Sequence, residues 1–235
     1  MVGRWLRLCL DLAFPAACEA CGTALAPGHP SCLCPRCVAV IEPAEGTLCE
    51  RCGAPGDATS SCPGCRRYPP AFTSARAAAW YVAGSPLASA VQSLKYRHRR
   101  NVAGALGTLL AERYPFALDV LLVPVPLHPA RLRARGFNQA LLLASALGRR
   151  LGLPVVSRVL VRRRPTRAQP GLDAAERRRN LREAFRVRAR GAVDGRRVVL
   201  VDDVLTTGAT ADACARALLA AGAVRVDVYT VGRAP

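Results

Sequence analysis

Two adjacent carboxylates, Asp202 and Asp203, directly follow the apolar run "VVLV" at residues 198–201. Burial of one ionised Asp at the end of a strand is costly, and burial of two neighbours costs more unless other groups satisfy them. Sugar hydroxyls, basic neighbours or a Mg²⁺ ion would each provide that compensation. The Asp pair is therefore the first place where the sequence predicts a ligand.

The residues after the Asp pair, "VLTTGAT", have the composition of a phosphate-binding turn. Thr206, Thr207 and Thr210 supply hydroxyls, and Gly208 lets the backbone curve closely around a ligand. The helix that follows would present unpaired N–H groups and the positive end of its dipole to a phosphate. Because carboxylates accept hydrogen bonds from vicinal hydroxyls, the segment predicts a site for a ribose 5-phosphate.

A strand that ends in Asp also occurs in P-loop nucleotide hydrolases, where it holds the metal. That fold requires the pattern G-x-x-x-x-G-K-[ST]. The single lysine of the chain, Lys95, lies in "QSLKYR". The P-loop interpretation therefore fails.

Eight cysteines before residue 66 form four C-x-x-C pairs. This spacing lets two thiolates of one tight turn bind the same tetrahedral metal, and zinc is the usual ion for such a site. Sequential pairing would build one site from Cys18, Cys21, Cys34 and Cys37, and the other from Cys49, Cys52, Cys62 and Cys65. A cross-braced pairing, an iron–sulfur cluster and a disulfide scaffold are alternatives. Closed all-thiolate zinc sites are usually structural, so we expect the metals to stabilise this region.

The excess positive charge is concentrated in the middle of the chain. The formal net charge is +18, and residues 76–197 carry 24 Arg and Lys95 against six acidic residues, a net of +19. A field of this sign attracts polyanions such as pyrophosphate, nucleotides or single-stranded DNA. The charge would surround any site to which the Asp pair belongs.

The N-terminal stretch "MVGRWLRLCLDLAFPAAC" only loosely imitates a signal peptide. Asp11 interrupts its apolar part, and Leu6, Leu10 and Phe14 have the four-residue spacing of an amphipathic helix. No uninterrupted apolar run reaches the ~18 residues that a membrane span needs. We therefore expect a cytoplasmic protein with no membrane span.

Strand and helix patterns alternate from residue 77 onward, which is typical of a doubly wound α/β sheet. We predict strands at 77–83, 119–127, 183–188, 196–204 and 224–232, and helices at 86–97, 101–113, 138–152 and 208–222. The predicted division of the chain is an N-terminal helix and cysteine region at 1–68, a linker at 69–76 and an α/β domain at 77–235. Ligands of such sheets bind at the carboxyl ends of the strands, where the Asp pair stands.

Residues 198–210 resemble the thirteen-residue phosphoribosyl pyrophosphate (PRPP) signature of type I phosphoribosyltransferases. Two further segments, "VPVPLHPARLRARGFNQALLLA" (123–144) and "RRPTRAQPGLDAAERRRNLREAFRV" (163–187), are similar to the ComF family of competence-type proteins. The resemblance covers nearly the whole chain. It implies an α/β fold with a type I phosphoribosyltransferase-like parallel sheet flanked by helices, behind a small N-terminal four-cysteine double zinc-ribbon module.

The resemblance also implies roles for individual residues. Asp202 and Asp203 would hold the ribose hydroxyls and act in catalysis with Arg135, while residues 124–128 would approach pyrophosphate. Mg²⁺ would accompany PRPP. The expected ligand contacts are Val201, Asp202, Asp203, Thr206, Thr207, Gly208, Ala209, Thr210, Pro126, Lys95 and Arg167. A hood over the site would contain Arg167, Gln169, Arg178 and Asn180.

Two functions from different classes are compatible with these features. In the first, a ComF-type protein binds PRPP or a nucleotide and handles single-stranded DNA in DNA uptake or natural transformation, with a competence helicase or DNA-processing protein as partner. In the second, an active Mg-dependent phosphoribosyltransferase serves nucleotide salvage, and the zinc ribbon is purely structural. An acceptor-base pocket is not recognisable in the sequence, so the first function is preferred.

Overall fold

A computed structural model describes residues 16–26, 29, 31–56, 61–162 and 184–235. The helix predicted at the N-terminus lies outside these residues. The same is true of the predicted hood residues Arg167, Gln169, Arg178 and Asn180. No helix in the described ranges has the length and apolar character that a membrane crossing requires.

The centre of the fold is a four-stranded parallel sheet whose strand order is β1-β6-β5-β2. Its strands are β1 (Ala75–Trp80), β2 (Leu121–Pro124), β5 (Arg197–Leu205) and β6 (Arg225–Arg233). β5 and β6 are the central strands and are buried along most of their length. This burial explains why their sequences are nearly continuous apolar runs.

The described residues contain seven α-helices, α1 (Pro35–Ala39), α2 (Pro63–Arg67), α3 (Pro86–Tyr96), α4 (Val102–Glu112), α5 (Pro129–Arg135), α6 (Gln139–Leu151) and α7 (Ala209–Leu219), and a short 3-10 helix at Arg190–Ala192. Their ends follow ordinary capping rules. The hydroxyl of Ser85 accepts a hydrogen bond from the Ala88 N–H at the start of α3, and α6 ends at Gly152, whose φ is +68°. A separate antiparallel pair, β3 (Leu160–Arg162) and β4 (Phe185–Val187), completes the described strands.

Apolar residues pack on both faces of the sheet. One cluster joins α3, α4 and α6 to the sheet through residues such as Leu94, Leu106 and Leu147. The other joins α7, β3 and β4 to the opposite face, with Leu200 and Cys214 fully buried. The predicted α/β sheet flanked by helices is therefore confirmed.

The cysteine region consists of two modules with the same local structure. The first module comprises residues 16–26 and 31–41, and the second module comprises residues 47–56 and 61–68. In each, a C-x-x-C turn ends in a glycine with positive φ, and a C-P-x-C segment opens a five-residue helix. The two modules are therefore repeats of one zinc-ribbon design, as the sequence spacing predicted.

The observed boundaries of the predicted strands and helices lie close to those predicted, with one exception, and four short elements (α1, α2, α5 and β3) were not predicted. The predicted strand at 119–127 ends at Pro124. Helix α5 lies in a segment for which no helix was predicted. Its residues are all partly or fully exposed, so it has no apolar stripe to reveal it.

Candidate functional site

Strands β2 and β5 bring the site together at their carboxyl ends. Pro124 is in register with Val201, and the Val125 N–H donates to the Val201 carbonyl at 2.9 Å. The turn after β2 and the Asp pair on β5 therefore leave the sheet at the same edge. This is the edge at which ligands of parallel α/β sheets bind.

Asp203 is a buried carboxylate, and only one of its two oxygens has a polar partner among the described residues. Its side chain is 6% exposed, and Oδ1 lies 2.7 Å from the ammonium Nζ of Lys95, at the end of α3. Oδ2 is also buried, but it has no hydrogen-bond partner among the described residues. A buried charged oxygen without a partner is costly, so Asp203 is suited to receive a donor or a cation from a ligand.

Asp202 is held in a different environment from its neighbour. Its Oδ1 accepts the Asp203 N–H at 2.8 Å. Burial, followed by repulsion from the Asp203 carboxylate, raises the pKa of Asp202 to about 8, against the lowering effects of Lys95 and Arg162. One carboxylate of the pair thus has a cationic partner, while the other ionises with difficulty until compensating charge arrives.

The turn from β5 into α7, residues 205–210, is open to solvent; because the sequence predicts that it binds phosphate, we call it the phosphate loop. Gly208 occupies the cap position of α7 with φ of +74°, which a residue with a side chain would adopt only under strain. Thr206 and Thr207 are exposed, and the Thr207 hydroxyl accepts a hydrogen bond from the Ala209 N–H at 3.4 Å. Since the first N–H groups of a helix have no partner within it, the loop presents donors and a positive dipole end to solvent.

Arg233 holds the phosphate loop from behind. Its guanidinium Nη1 donates to the carbonyls of Leu205 and Thr206, at 3.1 and 2.9 Å. Its Nε donates to the carbonyl of Cys52 in the second module, at 3.2 Å. Arg233 is only 8% exposed, so one buried side chain joins the phosphate loop to the C-x-x-C turn of the second module.

The turn after β2 is also fixed by side chains. Asn138 donates to the Val125 carbonyl at 3.0 Å and caps α6 by accepting the Ala140 N–H at 3.0 Å. Arg135 donates to the side-chain oxygen of Gln139 at 2.7 Å and lies 5.6 Å from the ring centre of Tyr96. Tyr96 directly follows Lys95, so Arg135 is connected to the helix that supplies the lysine.

Each module brings its four sulfurs within 4.8 Å of one another, and both groupings follow the sequential order of the cysteines. The sulfurs of Cys21 and Cys34 are 3.8 Å apart, and those of Cys52 and Cys62 are 3.7 Å apart. Four thiolates around zinc at about 2.3 Å have sulfur–sulfur separations of about 3.8 Å. Both clusters could therefore hold a metal ion, and the donor set is consistent with zinc.

The structure brings most of the predicted ligand residues to one edge of the sheet. Lys95, the Asp pair, the phosphate loop and the turn containing Pro126 all lie there. Val201 contributes differently, because its side chain is fully buried in the core and its carbonyl fixes the turn. Arg167 lies outside the described residues.

Sequence reasoning missed Arg233, because it is remote in sequence from every motif. It also missed Asp212, which accepts the Ala71 N–H at 2.6 Å and ties the start of α7 to the segment before β1. An arginine at the carboxyl end of a mostly apolar strand was the only signal for the first. No local signal marked the second.

Residues 138–235 match the phosphoribosyl transferase domain family. That match agrees with the parallel sheet, the Asp pair and the phosphate loop. The fold and the site thus define a type I phosphoribosyltransferase-like domain carrying two four-cysteine modules.

Three relatives extend the similarity beyond that domain. The DNA utilization protein YhgH of Escherichia coli O157:H7 is 37% identical over 229 residues, which cover 94% of this chain and 99% of that protein. Competence protein F of Haemophilus influenzae is 33% identical over 74% of this chain and 78% of its own length. Competence protein ComFC of Bacillus subtilis is 37% identical over 48% of this chain and 44% of its own length. The chain belongs to the ComF family.

Proposed function

We propose that this ComF-type protein binds PRPP or a nucleotide at the β5–α7 edge and handles single-stranded DNA during DNA uptake. The observation that carries the proposal is the buried Oδ2 of Asp203, which lacks a partner among the described residues beside an open phosphate loop. A ribose hydroxyl would satisfy this oxygen. The 5-phosphate would then reach the N–H groups at the start of α7.

The ligand would also relieve the repulsion within the Asp pair. Hydroxyl donors from the ribose or a bound Mg²⁺ favour the ionised form of Asp202, which burial disfavours in the free protein. Mg²⁺ prefers carboxylate and phosphate oxygens, and both would be available here. Asp202 and Asp203 are the residues that would bring the cation and the sugar together.

Basic side chains beside the site support a polyanionic ligand. Arg97, Arg99 and Arg100 are exposed directly after α3, and Arg131 and Arg133 are exposed on α5. Both segments flank the edge that carries Lys95 and the turn after β2. Phosphate contacts from such residues supply most of the sequence-independent affinity for nucleic acid. The names of the relatives, which refer to competence and DNA utilization, favour DNA as the polyanion.

We assign zinc to the two modules as a structural metal. Closed sites of four thiolates leave no open coordination position for a substrate. The eight ligands would be Cys18, Cys21, Cys34, Cys37, Cys49, Cys52, Cys62 and Cys65. Metal binding would then be coupled to folding of this region.

Calorimetry of PRPP and of thymidine 5′-monophosphate, each with and without Mg²⁺, tests the small-ligand site. The wild-type protein should bind at least one of them, and the doubly substituted Asp202→Asn, Asp203→Asn protein should not. Unchanged affinity in that variant would show that the Asp pair does not form the ligand site. Release of pyrophosphate with a nucleobase would instead favour an active transferase.

Binding of labelled oligothymidine across a salt series tests the DNA role. If arginine–phosphate contacts carry the affinity, the logarithm of the binding constant should fall linearly with the logarithm of the salt concentration. Absence of binding at low salt would contradict the DNA role without affecting the PRPP site. The two parts of the proposal can therefore fail separately.

A further inference from the structure

A groove of about 200 Å³ separates the second module from the phosphate loop. One wall is formed by the second module and the segment after it, and the other by the phosphate loop and the start of α7. We call it the module groove; its lining includes Cys65, Tyr68, Pro70, Thr206, Thr207 and Asp212. Phe72, which is 1% exposed, and Arg233 lie at its base.

The rim of the module groove is aromatic and basic. Tyr68 is 40% exposed, and the Arg67 guanidinium carbon lies 5.4 Å from the centre of its ring. Arg66 is exposed beside Arg67, and Arg51 reaches the Pro70 carbonyl at 3.5 Å. A planar ring bordered by arginines is the combination that binds bases and phosphates of single-stranded nucleic acid.

The positions of the module groove and the Asp pair determine which end of a bound nucleotide faces the groove. The groove meets residues 205–209 of the phosphate loop, whereas Asp202 and Asp203 are not part of its lining. A nucleotide with its ribose on the Asp pair and its 5′-phosphate in the loop therefore points its phosphate toward the groove. In a polynucleotide, that phosphate is also esterified to the 3′ oxygen of the preceding nucleoside.

We propose that the phosphate loop binds the last phosphate of a single-stranded DNA chain, that the free 3′-hydroxyl of the 3′-terminal nucleotide reaches the Asp pair, and that the module groove binds the base on the 5′ side of that phosphate. The inference rests on the proposed nucleotide site and adds a second subsite and a strand polarity to it. The groove has the volume of several water molecules, which is room for one base rather than for several. Tyr68 would stack on that base, and Arg66 and Arg67 would follow the backbone beyond it.

Two dinucleotides of equal charge test the polarity on the wild-type protein. Each is a thymidine dinucleotide in which one nucleoside has been replaced by a base-free sugar, on the 5′ side in one and on the 3′ side in the other. Loss of the 5′ base should lower the affinity about tenfold relative to the intact dinucleotide, which is within the range measured for stacking on an aromatic side chain. Equal affinity of the intact and the 5′ base-free dinucleotides would overturn the proposal.

Substitution of Tyr68 tests the groove itself. Tyr68→Ala should abolish the tenfold advantage of the 5′ base, whereas Tyr68→Phe, which keeps the ring, should retain most of it. PRPP has no nucleoside beyond its 5-phosphate, so neither substitution should change PRPP affinity. A Tyr68→Ala protein that keeps the 5′ base advantage, or that loses PRPP affinity equally, would contradict the groove assignment. Failure of the wild-type protein to bind PRPP and nucleotides would instead contradict the underlying site.

Discussion

The first and second modules have matching geometry but different surroundings. In the first, the Cys34 N–H donates to the Cys18 sulfur at 3.3 Å, and in the second, the Cys62 N–H donates to the Cys49 sulfur at the same distance. The first module packs its Leu25, Leu33 and Ile41 into the core beside α3 and α4. The second module instead lies against β1 and the phosphate loop.

This contrast shows that the geometry of the sulfurs and the structural role of each module have different origins. The C-x-x-C and C-P-x-C segments determine where the sulfurs go, because turn and helix start are local structures. The neighbours of each module determine what the metal stabilises. We therefore expect the first module to support the helical core, and the second to support ligand binding.

Loss of the first metal should cause the largest change in stability. Cys18 is 2% exposed and lies in the core cluster with α3 and α4. Cys18→Ser should leave about one zinc per chain and lower the melting temperature by more than about 10 °C, since structural zinc contributes several kcal/mol to folding. Atomic absorption and calorimetry would measure both quantities. Two retained metals would show that Cys18 is not a ligand.

Loss of the second metal should mainly affect the ligand site. Cys49→Ser should also leave about one zinc per chain, but with a smaller loss of melting temperature and a fall of at least about tenfold in PRPP affinity. The reason is that the second module supplies the Cys52 carbonyl to Arg233, which in turn donates to the carbonyls of the phosphate loop. If Cys18→Ser weakened PRPP binding more than Cys49→Ser, the contrast between the modules would be wrong.

Two equivalent glycines provide a matched test of how the second module is docked. Gly22 and Gly53 have φ of +75° and +62°, so alanine at either costs about 1 kcal/mol of backbone strain. A Cβ at Gly53 would lie 2.7 Å from the Ala75 carbonyl oxygen, whereas at Gly22 it would meet no atom within 4 Å in the described part of the chain. Gly53→Ala should therefore lower the free energy of unfolding by about 1–3 kcal/mol more than Gly22→Ala. Denaturant titration measures this difference, and equal losses would contradict close packing of the second module on β1.

Arg233 should couple the second module to the phosphate loop, because its side chain is hydrogen-bonded to both. Arg233→Met removes the donors to Cys52, Leu205 and Thr206, and should lower PRPP affinity about tenfold, or about 1.4 kcal/mol. Arg197→Met is a suitable control, because that side chain makes an exposed ion pair with Asp119 at the other end of β5. Calorimetry measures both affinities. Equal PRPP affinities of the two variants would show that Arg233 does not support PRPP binding by the phosphate loop.

The pH dependence of stability should distinguish the ligand site from both modules. Asp202 ionises near pH 4 in an unfolded chain and at about 8 in the folded protein. The folded state therefore binds more protons between these values, and the free energy of unfolding should fall as pH rises through this window. Asp202→Asn should weaken this dependence and raise the melting temperature by a few degrees near pH 8. Asp203→Asn should also weaken the pH dependence, because repulsion from the Asp203 carboxylate helps to raise the pKa of Asp202, but it should lower the melting temperature, because it breaks the ion pair with Lys95. Identical pH profiles for wild type and Asp202→Asn would contradict the raised pKa of Asp202 in the folded protein.

Features encoded in short stretches of sequence were predictable. The cysteine pairs, the β5 strand and the glycine turn into α7 each announce themselves within about a dozen residues. Arg233 could not be recognised in this way, because Cys52 is 181 residues away in sequence. The same holds for Asp212 and Ala71, which are 141 residues apart.

The sequence could not show which carboxylate of the Asp pair contacts Lys95. The motif places two carboxylates side by side, but it does not tell which of them lies against a cation. The answer depends on where α3 ends relative to β5, and that follows from packing of the helix on the sheet. Lys95 reaches Asp203, whereas burial and the neighbouring Asp203 carboxylate raise the pKa of Asp202.

The ion pair between Lys95 and Asp203 gives the protein a built-in chemical reporter. Lys95 is the single lysine of the sequence, and its side chain is 21% exposed. Acylating reagents that target primary amines would therefore find one side-chain position in the whole protein, next to the Asp203 carboxylate. Peptide mass mapping of that one modification would follow occupancy of the pocket directly, without a fluorophore or an engineered tag.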